Sequence, residues 1–321
     1  MHRAVRAFAA MIALTGTSLA MAQAWPAKPV RMILAFPPGG PTDIVSRVLA
    51  QKLAEQLGQQ VLVDNKPGAG GNIGAELAAK APNDGYTIFY NTSAIVINPA
   101  LYGRASYDTL KDFVPVTLTA AIPMVLVVNP SVPAKTMKEF VDLVKSKPGQ
   151  FNYSSSGTGT ITHLASAMLS SQMGLATQHI AYKGSAPGLV DLAAGQTQFM
   201  TDTINTALPY VKDGRLRAIA VTSAKRSSVL PDMPTFAESG LPGFDAAAWQ
   251  GVVVPAGTPQ DIVTRLNAEL NKALQDAGVR ARLAAQGADG LGGSPAEYAA
   301  YIRAEMPRWA KAIRDSGAKA E

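Results

Sequence analysis

The sequence predicts a two-lobed α/β protein, built on two parallel/mixed sheets with flanking helices and a ligand cleft between the lobes. Three observations carry this prediction. Apolar strand-like runs alternate with runs of helical period, the pattern of sheets covered by helices. The alternation occurs twice, and each copy places a glycine- and hydroxyl-rich turn after its first strand, at residues 37–42 and 154–160. Two long apolar runs, residues 114–128 and 249–255, mark where the chain crosses between the two series. In residue terms, 25–122 with 250–321 form one lobe and 123–249 the other. Ligands of such folds bind between the lobes, at the carboxyl ends of the strands.

The first element is the strand at residues 30–36, which alternates and then runs apolar. Pro37-Pro38-Gly39-Gly40 ends it, because neither a strand nor a helix interior tolerates that run. Ile44, Val45, Val48, Leu49, Leu53 and Leu57 then recur at spacings of three and four, a helix stopped by Gly58. Two glycines let the backbone turn with its N–H groups bare to a ligand. Thr42 or Asp43 is expected to cap the helix, whose start carries partial positive charge. Such a turn suits a carboxylate or phosphate.

Residues 60–64 read as a strand, followed by the glycine-rich turn 65–72, a helix using Ile73, Leu77 and Ala81, and a third strand at 86–90 that ends on Asn91-Thr92-Ser93. Ser93 and its neighbours are candidates for the cleft wall. The second series runs through a helix at 136–145, a strand at 151–153, the turn 154–160 and a helix carrying Ile161, Leu164, Ala165, Met168 and Leu169. Further strands are expected at 179–182, 198–202 and 217–222, with short helices at 187–194 and 207–212. Thr258-Pro259-Gln260-Asp261 and Ser294-Pro295-Ala296-Glu297 each read as a helix start with cap, proline and acid.

Composition narrows the function. The chain has 321 residues, 47% hydrophobic and 16% charged, and no cysteine, which excludes disulfides, thiol metal sites and a lipid-anchor cysteine. Residues 1–24 carry Arg3 and Arg6, then a short apolar stretch and small-x-small cleavage sites, as in a secretory signal peptide. Its removal takes the net charge from +6 to +4, a mild preference for anions that is too spread out for nucleic acid. The expectation is a disulfide-free periplasmic monomer. No cofactor or metal is expected, because the chain holds no nucleotide-binding glycine signature, no nucleophile elbow and no His/Glu metal spacing.

The candidate anion site follows from the two turns. Neither contains lysine or arginine, so N–H groups and hydroxyls should hold the anion: Gly39, Gly40 and Thr42 on one side, Ser155, Ser156, Thr158, Gly159 and Thr160 on the other. His163 lies one turn into its helix, where a lone histidine is usually a packed residue. Asp202 ends a strand and either faces the ligand or caps the next turn near Asn205.

Several stretches resemble one family in order along the chain: 25–31, Phe36-Pro37-Pro38-Gly39-Gly40 through Asp43, Asn65-Lys66-Pro67-Gly68-Ala69-Gly70-Gly71, Tyr182-Lys183-Gly184, 214–222, Pro231-Asp232-Met233-Pro234-Thr235 and Pro255-Ala256-Gly257-Thr258-Pro259. Together they look like the Bug family, the extracytoplasmic substrate-binding proteins of tripartite tricarboxylate transporters. The resemblance implies a type II periplasmic-binding-protein fold and a small organic acid handed to membrane permease subunits. It implies ligand contacts from the two turns, here Phe36, Pro38 and the residues through Asp43, and the stretch ending at His163. It also implies that Asp202 sits where related folds hold a ligand amino or hydroxyl group. The alternative outputs are signalling to a membrane kinase and, in another class, an enzyme acting on a carboxylated substrate with His163 as base.

Overall fold

The computed structural model describes residues 25–103, 106–244 and 246–319. The expected signal peptide lies outside the described residues. The first series is β1 (Val30–Leu34), α1 (Pro41–Leu57), β2 (Val61–Asn65), a short 3-10 turn (Ala69–Gly71), α2 (Asn72–Ala79), β3 (Thr87–Thr92) and α3 (Ala94–Tyr102). A 16-residue strand, β4 (Phe113–Val128), follows. The second series is α4 (Met137–Ser146), β5 (Phe151–Ser155), α5 (Ile161–Met173), β6 (Thr177–Ala181), α6 (Ser185–Ala193), β7 (Phe199–Thr203), α7 (Ile204–Lys212) and β8 (Arg217–Val221). The chain ends through β9 (Ala247–Pro255), α8 (Gln260–Gln275), α9 (Ala277–Ala285), β10 (Asp289–Gly290) and α10 (Pro295–Ser316).

The strand order is β2-β1-β3-β9-β4-β7-β5-β6, with β8 and β10 also paired to β4. β1 is parallel to β2 and β3, and β5 is parallel to β6 and β7, as helical crossovers require. β4 explains its own length. Its first part runs antiparallel to β9, from Phe113 opposite Pro255 to Pro123 opposite Ala247. From Met124 onward it pairs with β7, and from Val125 with β8. One strand thus belongs to both strand sets. Its prolines, which cannot donate to a ladder, sit where the ladder already fails: Pro115 at a register shift and Pro123 at the end of the β9 pairing. The long α10 packs against α3, β4 and α5, so it bridges both series on the side of β4. Its Glu305 is buried, and Oε2 accepts from both Trp249 Nε1 and Trp309 Nε1 at 2.8 Å, which satisfies two indoles and fixes α10 on β9.

Several local expectations need correction. α1 is capped by Gly40, and Thr42 and Asp43 stand inside its first turn. The Asp43 carboxylate instead reaches back to the Gly39 N–H at 3.0 Å. Thr258 does not cap α8; its hydroxyl donates to Pro255 O at 2.7 Å, and Pro259 holds the cap position. α2 exposes Ile73 and Leu77 and buries Gly74, Ala75 and Ala78. The cause is close approach: a Cβ on Gly74 would lie 2.8 Å from Ala35 Cα, so only small residues fit that face. α3 and α9 were not expected. The Ala94-Ile95-Val96-Ile97 run of α3 is buried on all sides and shows no helical period.

Candidate functional site

A partly open cavity of about 50 Å³ lies between the first-series turn and the second-series turns. Phe36, Pro37, Pro38 and Pro41 form one wall, Ile161, Ala186 and Pro187 another, and Ala248 and Gln250 of β9 also line it. Among the described residues, its lining contains no charged side chain and no histidine. What it does contain is helix starts. The cap residues of α1, α3, α5, α6 and α7, respectively Gly40, Ser93, Thr160, Gly184 and Thr203, all line it. The first-turn N–H groups of a helix have no partner within the helix, and they carry its partial positive charge. In four of these five helices the cap residue's side chain makes no cap hydrogen bond, although Thr92 Oγ1 accepts from Ala94 N–H at the start of α3; only Thr160 caps its own helix, accepting from the His163 N–H. A cavity ringed by helix starts has the backbone chemistry to accept an anion.

The hydroxyls play a different part from the one expected. Thr160 Oγ1 gives its single hydrogen to Gly157 O at 2.6 Å. Its 2.9 Å contact with Thr162 Oγ1 therefore requires Thr162 to donate. The 2.8 Å contact between Ser156 Oγ and Thr162 Oγ1 then requires Ser156 to donate. Ser185 Oγ donates to Asp202 Oδ1 at 2.9 Å. Thr206 Oγ1 lies 3.0 Å from both Asp202 Oδ2 and Thr203 O, acceptors that take its hydrogen, so Thr203 Oγ1 donates to Thr206 at 2.9 Å. Thr160 and Thr162 are used up within the turn, since each hydroxyl also accepts two hydrogen bonds, whereas Ser156, Ser185 and Thr203 give their hydrogens away and keep lone pairs, not hydrogens, for the space between the loops. Ser93 differs from these: its hydroxyl is buried without a partner on the cavity wall.

Of the residues expected from sequence, Phe36, Pro38, Gly40, Thr42, Ser93, Ser156 and Thr160 line the cavity. Gly39, Asp43, Ser155, Thr158, Gly159, His163 and Asp202 do not. Asp43 is held by Arg47 Nε at 2.8 Å and Asn65 Nδ2 at 3.0 Å. Burial pushes its carboxyl up, but Arg47, the Gly39 N–H and Asn65 together hold it below the usual range. Asp202 is fully buried behind Ser185 and Thr203, and that burial pushes its carboxyl up to about 6 despite the hydrogen bonds it accepts. His163 stacks on His179 with ring centres 3.9 Å apart, away from the cavity. Ser155 Oγ is 2.6 Å from His179 Nε2 and accepts from the Gly157 N–H, so it braces the turn from below. Burial lowers His179 to about 4. Thr158 and Lys183 line a second cleft that shares Phe36, Pro37, Ser156 and Gly184 with the cavity. Gln250, Gly184, Ser185 and Pro187 were not expected on the wall. A glycine before a helix start, as at Tyr182-Lys183-Gly184, was the available signal for three of them.

The two series touch around the cavity. Tyr102 Oη donates to Thr158 O at 3.2 Å, and Asn205 Nδ2 reaches Pro41 O at 3.5 Å. A Cβ on Gly70 would lie 2.2 Å from Thr158 O, and one on Gly184 would lie 3.1 Å from the Pro37 ring. Glycine is what permits these approaches.

Two α/β series meeting around a cavity on which five helices start, in a chain whose strand order runs through one shared strand, define a solute-binding receptor with the periplasmic-binding-protein fold. The model of the tripartite tricarboxylate transporter family receptor, TctC, matches residues 45–318, and the chain belongs to that family. It is 38% identical to protein BugT of Bordetella pertussis, over 93% of this chain and 92% of that one. Among solved structures it is similar to a Rhodopseudomonas palustris protein with adipate, at TM-score 0.89 and 36% identity over 91% of this chain and 98% of that chain. It is also similar to MatC from Rhodopseudomonas palustris with bound malate, at TM-score 0.85 and 33% identity over 90% of this chain and 100% of that chain. The family is one of non-enzymatic binding receptors. No helix among the described residues is long and apolar enough to cross a membrane.

Proposed function

We propose that this receptor is exported to the periplasm, captures a small organic carboxylate in the cavity and delivers it to the membrane permease subunits of a tripartite tricarboxylate transporter. The observation that carries the proposal is the convergence of five helix starts on a cavity with no charged residue among its described lining. Hydrogen bonds to a charged acceptor contribute about 1.5–3 kcal/mol each, and a partly buried helix start adds up to about 2 kcal/mol. After ordering and closure costs, four or five such contacts give micromolar affinity, about −8 kcal/mol. Relatives with adipate and with malate support a carboxylate guest. In this reading residues 25–122 with 250–321 act as one lobe and 123–249 as the other, hinged where β4 changes partner and along β9. Opening parts the Tyr102–Thr158 and Asn205–Pro41 contacts, and a bound acid draws them together. Calorimetry against a panel of mono-, di- and tricarboxylates is the test. Micromolar binding of at least one acid is expected; binding of sugars or metal ions with no carboxylate would overturn the proposal.

A further inference from the structure

The cavity wall holds one side chain whose orientation can be settled by counting hydrogens. Gln250 is 1% exposed and lines the cavity from β9. The structure places the Oε1 end of its side-chain amide 3.0 Å from Tyr90 Oη, an assignment of amide oxygen and nitrogen that the surrounding hydrogen bonds must decide. Tyr90 Oη lies 2.9 Å from Thr119 Oγ1, and Thr119 Oγ1 lies 3.0 Å from the backbone oxygen of Gln250. Tyr90 and Thr119 are both fully buried, so water takes no part. The carbonyl oxygen can only accept, so the Thr119 hydrogen goes to it. The Tyr90 hydrogen then goes to Thr119. Nothing is left to donate from Tyr90 to Gln250, so the amide end facing Tyr90 must be the NH₂. With the oxygen turned to Tyr90 instead, the single Tyr90 hydrogen would have to serve two acceptors.

We infer that Gln250 presents its amide oxygen, an acceptor, to the cavity, and that the preferred ligand carries a hydroxyl or ammonium donor on its carbon body beside its carboxylate. This rests on the carboxylate reading and narrows it. Thr203 points the same way: it also lines the cavity, and its hydrogen is taken by Thr206. Two acceptors repel a carboxylate oxygen, so the acid groups go to the helix starts other than that of α7, while the donor on the ligand meets Gln250 and Thr203. An unsubstituted acid leaves these buried acceptors without partners, which is the costly case. Thr119 is then a positioning residue. It never reaches the cavity, yet it sets which end of Gln250 does.

The test is calorimetry with matched acids of three lengths, each as the unsubstituted, 2-hydroxy and 2-amino form: propionate, lactate and alanine; succinate, malate and aspartate; adipate, 2-hydroxyadipate and 2-aminoadipate. At the length that binds, a substituted acid should bind at least about tenfold more tightly than the unsubstituted one. Gln250→Leu should bring that ratio close to one. Thr119→Val frees the Tyr90 hydrogen for Gln250, lets the amide turn over, and should also collapse the ratio, although no contact with the ligand is lost. Far-ultraviolet circular dichroism and a thermal midpoint for each variant report folding. An unsubstituted acid that binds as tightly as its substituted partners overturns this inference and leaves the carboxylate reading standing. A preserved ratio in folded Thr119→Val overturns the orientation assigned to Gln250. No binding by any of the nine acids, with binding of a solute that carries no carboxylate, overturns both.

Discussion

Replacing Gly70 by alanine separates closure from folding. Gly70 stands in the first-series turn with φ +61, and its missing Cβ is what lets the second-series turn approach. An added Cβ would sit 2.2 Å from Thr158 O. Relieving that overlap needs a retreat of about 1 Å between the turns, an overpacking cost of about 1–3 kcal/mol if resisted. The same retreat stretches the Tyr102–Thr158 hydrogen bond, now 3.2 Å, beyond useful range. That bond is worth about 1 kcal/mol. The closed form therefore loses on the order of 1–2 kcal/mol relative to the open one, and ligand affinity falls about tenfold. Left-handed strain of about 1–2 kcal/mol falls on both forms and lowers stability without touching affinity. Gly58→Ala isolates that second effect: Gly58 has φ +68 as the cap of α1, and nothing lies within 4 Å of its absent Cβ. Calorimetry with the cognate acid and thermal unfolding without it should show both variants destabilised by a few degrees and only Gly70→Ala weakened in binding. Equal affinity for the two variants would refute the closure argument.

Asp202→Asn and His179→Gln test the buried titrations. For Asp202 the folded form keeps its proton up to about pH 6, whereas the unfolded form gives it up near 3.8, so stability falls as pH rises through that window. The cost persists above the window at about 3 kcal/mol. Against Asp202→Asn, the wild-type thermal midpoint should therefore lose ground between pH 4 and pH 6 and stay behind at pH 7; a gap that does not vary with pH would contradict the burial argument. His179 has the opposite sign. Its folded form resists protonation down to about 4 while the unfolded form protonates near 6.5, so its contribution is complete above 6.5 and is lost as pH falls toward 4. His179→Gln should flatten the acid limb of the midpoint curve, and an unchanged limb would count against it. The two groups oppose each other between pH 4 and 6, so each is visible only in its own variant.

The fold was legible wherever burial has a period. The apolar spacing of α1, the capping box of α10 at Ser294 and Glu297, and the alternation of strands and helices all carry local signals. α3 carries none, because a helix buried on every side loses its polar face. α2 misled through Ile73 and Leu77, since the strand beneath it admits only glycine and alanine. For the cavity, the sequence marked the glycine turn and the Ser-Thr run, and residues from both line it. It could not reveal which atoms do so. Hydrogens are distributed by three-dimensional neighbours: Thr160 looks like a donor until Gly157 O takes its hydrogen, and Asp202 looks like a ligand contact until Ser185, Thr203 and Thr206 surround it. Gln250 was invisible for the same reason, because its partners Tyr90 and Thr119 are 160 and 131 residues away in the chain.

The most direct measurement of the central claim is a crystal structure of the receptor with its tightest-binding acid. The account predicts carboxylate oxygens at about 3 Å from first-turn N–H groups of the helices that follow Gly40, Thr160 or Gly184, with no lysine or arginine side chain in contact. An acid clasped by Lys183 or another basic side chain, or seated outside this cavity, would contradict it.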